Sequence, residues 1–152
     1  MHLAKGHNLE TILQVAFYRP EANQLRLETP NGSVPFPAVV LEHFRNLEGI
    51  EALSQSSNLH IEVFKRRFVA DGKTSKVKGD FRAEYFESVL AKIRTYQRRR
   101  LLVFLDPDTG IAPQRPGPKH VLRKEIREIF GAIKPDDWLV LYQHARRHKN
   151  WK

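Results

Sequence analysis

The chain has no cysteine. That excludes disulfides, thiolate zinc sites and cysteine nucleophiles, and a reducing cytoplasm is the expected compartment. No apolar run approaches the roughly 18 residues that a membrane-crossing helix needs, so a soluble protein with no membrane partner is expected. The opening Met1-His2-Leu3-Ala4-Lys5-Gly6-His7 lacks the apolar centre of a signal peptide. No internal repeat and no long low-complexity tract is visible. What is left is ordinary globular composition over 152 residues. That length suits a single domain able to bury about two thirds of its unfolded surface.

Charge is the first positive signal. The net charge is +9, and it is unevenly placed. Residues 1–64 hold four Lys/Arg against seven Asp/Glu, a balance of −3; residues 65–152 hold the other 22 against 10, a balance of +12. A basic C-terminal part implies a polyanionic partner, and DNA, RNA or a nucleotide is the usual one, because phosphate neutralisation dominates such binding. The alternative is a basic surface that serves solubility alone.

The hydrophobic pattern divides the chain in two. Residues 1–37 read as a β-hairpin-like segment. Thr11 to Tyr18 is rich in β-branched and aromatic residues, Leu25 to Thr29 alternates apolar and polar, and Asn31-Gly32 is a hairpin signal. Pro35 and Pro37 push a third strand, Ser33 to Val39, to an edge or out of the sheet. Residues 38–152 alternate helix and strand. Val40, Phe44 and Leu47 predict a helix over 38–53, then a polar loop over 54–58 and a strand over 60–64. A Gly/Lys-rich loop is expected over 70–79, with Asp80 as the N-cap of a helix whose apolar face carries Phe81, Tyr85, Phe86, Val89, Leu90 and Ile93. Leu101 to Leu105 is a continuous apolar run suited to the centre of a parallel sheet. Leu122, Ile126, Ile129 and Ile133 mark a further helix, and Trp138 to Tyr142 a last strand. The order predicts one α/β domain with a Rossmann-like, open, mostly parallel sheet. The chain stops at Trp151-Lys152, directly after a basic cluster, as a fragment of a longer protein would.

In such sheets ligands bind beyond the carboxyl ends of the strands. One apolar strand ends in Asp106-Pro107-Asp108-Thr109-Gly110, another in Gln143-His144-Ala145-Arg146-Arg147-His148. Parallel neighbours would bring both clusters to one rim. Asp106 and Asp108 return to the same side of the chain, and two carboxylates that close share a proton or hold a cation. Mg²⁺, completed by water and phosphate, suits them. Glu62 or Glu125 is a candidate third carboxylate. The plain alternative is a turn, since Asp, Pro, Thr and Gly are ordinary turn residues. His144 is a candidate general base or a rim histidine, and Gln143 either reads a base edge or holds a turn. Arg146, Arg147 and Lys119 are phosphate-binding candidates or solvated basic residues, as are Lys73, Lys76 and Lys78.

The stretch from Val103 to Ile111, with Lys134 to His144, resembles an uncharacterised bacterial family patterned as FLDPD-x-G followed by YQH. The resemblance covers roughly the last 70 residues and implies a Rossmann-like fold without an established activity. Asp106-Pro107 is also similar to the catalytic loop of class I methyltransferases that modify base amino groups. That similarity implies S-adenosylmethionine as cofactor and Asp106 as acceptor of the target amino group. Here Asp108 and Thr109 replace the loop's second proline and aromatic, and Arg19-Pro20-Glu21 stands where a Gly-rich turn would follow the first strand. Toprim domains and haloacid dehalogenase-like phosphatases likewise place Asp-x-Asp at a strand end to bind Mg²⁺. The threonine and glycine here differ from theirs in order or spacing. Three readings follow: a metal-dependent phosphoryl-transfer enzyme (nuclease or phosphodiesterase), a base methyltransferase or degenerate relative, and a non-catalytic nucleic-acid-binding module.

Overall fold

The computed structural model describes residues 6–17, 26–30, 32–35, 46–68, 75–107, 109–115, 117 and 119–143. Four parallel strands form the main sheet: β1 (Thr11–Ala16), β4 (His60–Val63), β5 (Leu101–Asp106) and β6 (Trp138–Leu141), in the spatial order β4-β1-β5-β6. Between β1 and β4 in sequence lie β2 (Arg26–Thr29) and β3 (Gly32–Pro35), an antiparallel pair that makes its own two-stranded sheet. The helices are α1 (Glu48–Glu51), α2 (Ser54–Ser57), α3 (Ser75–Arg94) and α4 (Arg123–Ala132). The open, mostly parallel α/β sheet is as expected, but Thr11–Ala16, read as part of an N-terminal hairpin-like segment, is an inner strand of that sheet, and the hairpin β2–β3 follows it.

Alternation along each strand sorts the core into two layers. Leu13, Val15, Leu101, Val103 and Leu105 face one side and pack with Tyr85, Phe86, Val89 and Ile93 of α3 and Ile129 of α4. Ile12, Ile61, Leu102, Phe104, Trp138 and Val140 face the other side, where Ile50 of α1 joins them. Helices thus lie on both faces. The chain moves one way from β1 to β4 and the opposite way from β4 to β5 to β6, and right-handed crossovers of opposite direction put their helices on opposite faces.

The outer edge of β4 is closed by side chains. The Ile61 N–H donates to Ser54 Oγ at 2.8 Å and the Val63 N–H to a Glu51 carboxylate oxygen at 3.1 Å. Lys65 holds the other Glu51 oxygen at 2.6 Å. Edge donors satisfied in this way are no longer a template for another strand. The hydrogen bond from Lys65 lowers the Glu51 carboxyl below its ordinary pKa.

Several local expectations are corrected. The polar stretch after residue 53 is not all loop: Ser54–Ser57 is the helical turn α2, closed by Asn58 in the left-handed region at φ 55°. Asp80 is no N-cap, because α3 starts five residues earlier at Ser75 and runs through it. The cost of Gly79 inside a helix, about 1 kcal/mol, is small beside what the apolar face of α3 gains by burial. Of the helix expected over 38–53, residues 38–45 lie outside the described residues and, of the rest up to 53, the regular helix before α2 is α1. The hairpin register pairs Thr29 with Gly32, so Gly32 belongs to β3 rather than to the turn, and it takes a φ of 112° at the start of that strand.

Two polar clusters tie the helices down. The Arg82 guanidinium of α3 grips the Glu125 carboxylate of α4, its Nη2 at 2.7 Å from Oε2, and donates to the His120 carbonyl at 2.7 Å. Its planar face covers the rings of Phe68 and Phe86 at 5.2 and 5.6 Å. Farther along α3, Glu62 of β4 meets Lys92 at 2.6 Å, accepts from the Tyr96 hydroxyl, and lies 3.6 Å from His60. Burial pushes the Glu62 carboxyl up, but hydrogen bonds from Lys92 and Tyr96 outweigh it and leave the carboxyl below its ordinary value. Burial and the Glu62 contact raise the Tyr96 hydroxyl.

Two predictions follow from these clusters. Arg82→Met leaves a buried, unpaired Glu125 and is expected to cost about 3 kcal/mol in urea denaturation, whereas Arg82→Met with Glu125→Gln recovers most of that. Equal losses in the single and double variants would mean that the charge pair does not join the helices. For Glu62, a depressed folded pKa means stability that is present above the unfolded value near 4.5 and lost as pH falls through the folded one. The stability gap between wild type and Glu62→Gln is therefore expected to be largest near neutral pH and to shrink in acid; a gap independent of pH would contradict the pairing.

Candidate functional site

The connection leaving β1 runs to β4 on one side and the connection leaving β5 runs to β6 on the other, so the topological switch lies between the carboxyl ends of β1 and β5. Crevices at such points are where open α/β sheets take their ligands. Asp106 stands there as the last residue of β5, opposite Ala16 of β1. It shares a face with Gln14, two residues back on β1, and the Gln14 Nε2 donates to Asp106 Oδ2 at 3.2 Å. Both side chains are partly buried. An amide donor at this position fixes the direction of the carboxylate oxygen that accepts from it.

The opposite face of the sheet from Gln14 and Asp106 is packed with aromatic rings at this junction. Phe17, directly after β1, stacks on Phe68 with ring centroids 4.5 Å apart and meets Tyr85 and Phe86 edge-on at 6.0 and 5.8 Å. The Tyr85 hydroxyl donates to the Ala16 carbonyl at 2.7 Å and pins the end of β1, and burial raises its pKa.

Beyond Asp106 the chain turns sharply. Pro107 is fully buried. The Thr109 hydroxyl is buried without a partner among the described residues. Gly110 takes a φ of 80°. The loop then folds back on itself: Val121 N–H donates to the Gly110 carbonyl at 3.0 Å and Ala112 N–H to the Val121 carbonyl at 2.9 Å. The end of β6 closes on this turn. Tyr142 N–H donates to the Leu105 carbonyl at 2.9 Å, and Gln143 Oε1 accepts from the Ile111 N–H at 2.8 Å. The ends of β5 and β6 therefore meet at one rim, with Gln143 holding the turn that follows Asp106.

The other sequence candidates divide as follows. Asp108, His144, Arg146 and Arg147 lie outside the described residues, as does Lys73; Lys76 and Lys78 fall in the first turn of α3. Lys119 is exposed on the loop that leads from the rim into α4. Neither proposed third carboxylate joins the aspartate: Glu125 is committed to Arg82 and also accepts the Leu122 N–H at 2.7 Å, and Glu62 is held by Lys92 and Tyr96. Among the described residues no three histidine or carboxylate side chains gather as a metal-binding group. Sequence reasoning missed Gln14, Tyr85 and Arg82. A polar residue at the centre of a strand otherwise suited to burial was a visible signal for Gln14; nothing in the sequence paired Arg82 with Glu125 across 43 positions.

No family model matches the chain, and neither a curated protein nor a solved structure does so. No helix among the described residues is long and apolar enough to cross a membrane.

The closeness of the turn to Gln143 gives a sharp expectation. A Cβ on Gly110 would fall 2.7 Å from Gln143 Cδ, at a φ that disfavours any L side chain. Gly110→Ala is expected to lower stability by about 2 kcal/mol or more in chemical denaturation. Gly131→Ala, whose added Cβ meets nothing within 4 Å inside α4, is the control and is expected to stabilise slightly. A neutral Gly110→Ala would show that the two strand ends are not locked together.

Proposed function

We propose that the chain binds nucleic acid or nucleotide phosphates across the rim at the β1–β5 junction and that Asp106, with Asp108, holds Mg²⁺ there for phosphoryl transfer. The observation that carries this reading is the carboxylate of Asp106 at the switch point, oriented by the Gln14 amide at 3.2 Å. The basic charge of residues 65–152 supports the choice of a polyanionic ligand.

A two-aspartate donor set suits Mg²⁺, which is commonly held by one or two carboxylates while water and substrate phosphate complete its shell. Gln14 then acts as the outer partner that fixes a ligand's direction. When bound, the ion supplies neutralisation of phosphoryl charge and a more acidic water. The remaining work falls to this chain's own residues. His144, directly after the turn-holding Gln143, handles a proton. Arg146, Arg147 and Lys119 bind phosphate. Phe17, Phe68 and Tyr85 pack the opposite face of the sheet behind the site. A cysteine-free chain of this kind suits a reducing cytoplasm.

Calorimetric titration of Mg²⁺ and Mn²⁺ into wild type and Asp106→Asn tests the reading. Wild type is expected to bind metal, Asp106→Asn to lose at least about tenfold in affinity, and metal-dependent phosphodiester cleavage to disappear with it. A wild type that binds neither ion overturns the metal role. Saturable binding of S-adenosylmethionine without metal would move Asp106 to base methylation. Salt-sensitive DNA or RNA binding that survives Asp106→Asn, without either ligand, would leave a binding module.

A further inference from the structure

We infer that the outer face of α4 is a docking strip for single-stranded nucleic acid, with Phe130 stacking on an unpaired base and Arg123 and Arg127 taking backbone phosphates. The inference rests on the polyanion-binding reading above and names its partner more narrowly. α4 buries Glu125 and Ile129 against the sheet and α3. Its opposite face carries Arg123, Lys124 and Arg127, all exposed, and Phe130, which is 67% exposed. Positions 123, 127 and 130 are spaced i, i+4, i+7, so they form one stripe, about 10 Å long at 1.5 Å per residue.

Three features distinguish this stripe from a merely solvated helix face. A phenylalanine so exposed forgoes the burial that normally holds such a ring. Arg123 and Arg127 make no ion pair with any described residue, while Lys124 is the one engaged, with Glu128 at 3.5 Å. Gly131 beside the ring adds no side chain, and the space a Cβ would occupy is open. The apolar neighbour one turn back, Ile126, is packed against the core, so the exposed side chains that flank Phe130 along the stripe are cations. A polyanion with accessible π faces is what such a surface complements. Aromatic stacking needs an unpaired base, because a duplex keeps its base faces covered. The stripe also starts at the right place: Arg123 opens α4 directly after the loop that leaves Asp106, so a strand lying along α4 leads to the rim.

Fluorescence anisotropy with a labelled oligothymidylate and a labelled duplex of equal length, at low salt, tests the strip. Phe130→Ala is expected to weaken single-strand binding about tenfold, Phe130→Tyr to retain it, and duplex binding to be unchanged. Arg123→Gln with Arg127→Gln is expected to reduce the slope of log affinity against log salt by about 1.4, two phosphate contacts at ~0.7 each. Unchanged single-strand affinity in Phe130→Ala, with wild-type circular dichroism, overturns the inference. So does equal loss on duplex, or a wild-type dimer that becomes monomeric in Phe130→Ala. A wild type that ignores the oligothymidylate also overturns it, while the rim reading stands or falls separately on Asp106-dependent Mg²⁺ binding.

Discussion

The pairing of Arg82 with Glu125 is the constraint on which the rim depends. Both side chains are largely withdrawn from water, at 17% and 8% exposure. A carboxylate so placed requires a partner with matching donors, and the planar guanidinium meets it with two nitrogens while its faces lie on Phe68 and Phe86. The same two residues reach further. Glu125 takes the N–H of Leu122 at the start of α4, and Arg82 takes the carbonyl of His120. One ion pair thus joins α3, the first turn of α4 and the end of the loop that begins at Asp106-Pro107. One turn along α3, Tyr85 pins the end of β1. Both strands that meet at the switch point are therefore positioned from the same helix.

That arrangement assigns the acidic residues. Glu51 closes the β4 edge, Glu62 binds the far part of α3, and Glu125 serves Arg82. Asp137 accepts from the Leu101 N–H at 2.8 Å and the Lys134 N–H at 3.0 Å, and so ties the start of β5 to the start of β6. Each is explained by what it holds together. Asp106 differs in kind. Its place is set by the sheet, at the end of an apolar strand, and one of its partners is the neutral amide of Gln14.

The excess of positive charge complements that acidic point. Basic residues follow α4 from the loop at Lys119 through Arg123, Lys124 and Arg127. Fixed cations flanking a small acidic site draw in a polyanion without neutralising the site itself, and the attraction weakens as salt screens it.

Much of this architecture was legible in the chain. The apolar run Leu101–Leu105 and the 3.6-residue spacing in α3 and α4 each carry their own signal, and the helical period reports which face is buried wherever the element ends up. The acidic end of β5 was equally plain, because charge directly after five apolar residues marks the boundary of a core. Helix starts were less plain. Asp80 has the chemistry of a cap, yet the helix passes through it, since the burial of Tyr85, Phe86 and Val89 outweighs a local preference. What only the tertiary structure decided is who meets whom. The order β4-β1-β5-β6 put Gln14 beside Asp106, 92 residues away, and Gln143 beside Gly110. Periodicity fixes the direction of a side chain relative to its own strand, whereas neighbours across a sheet are chosen by the packing of the whole core.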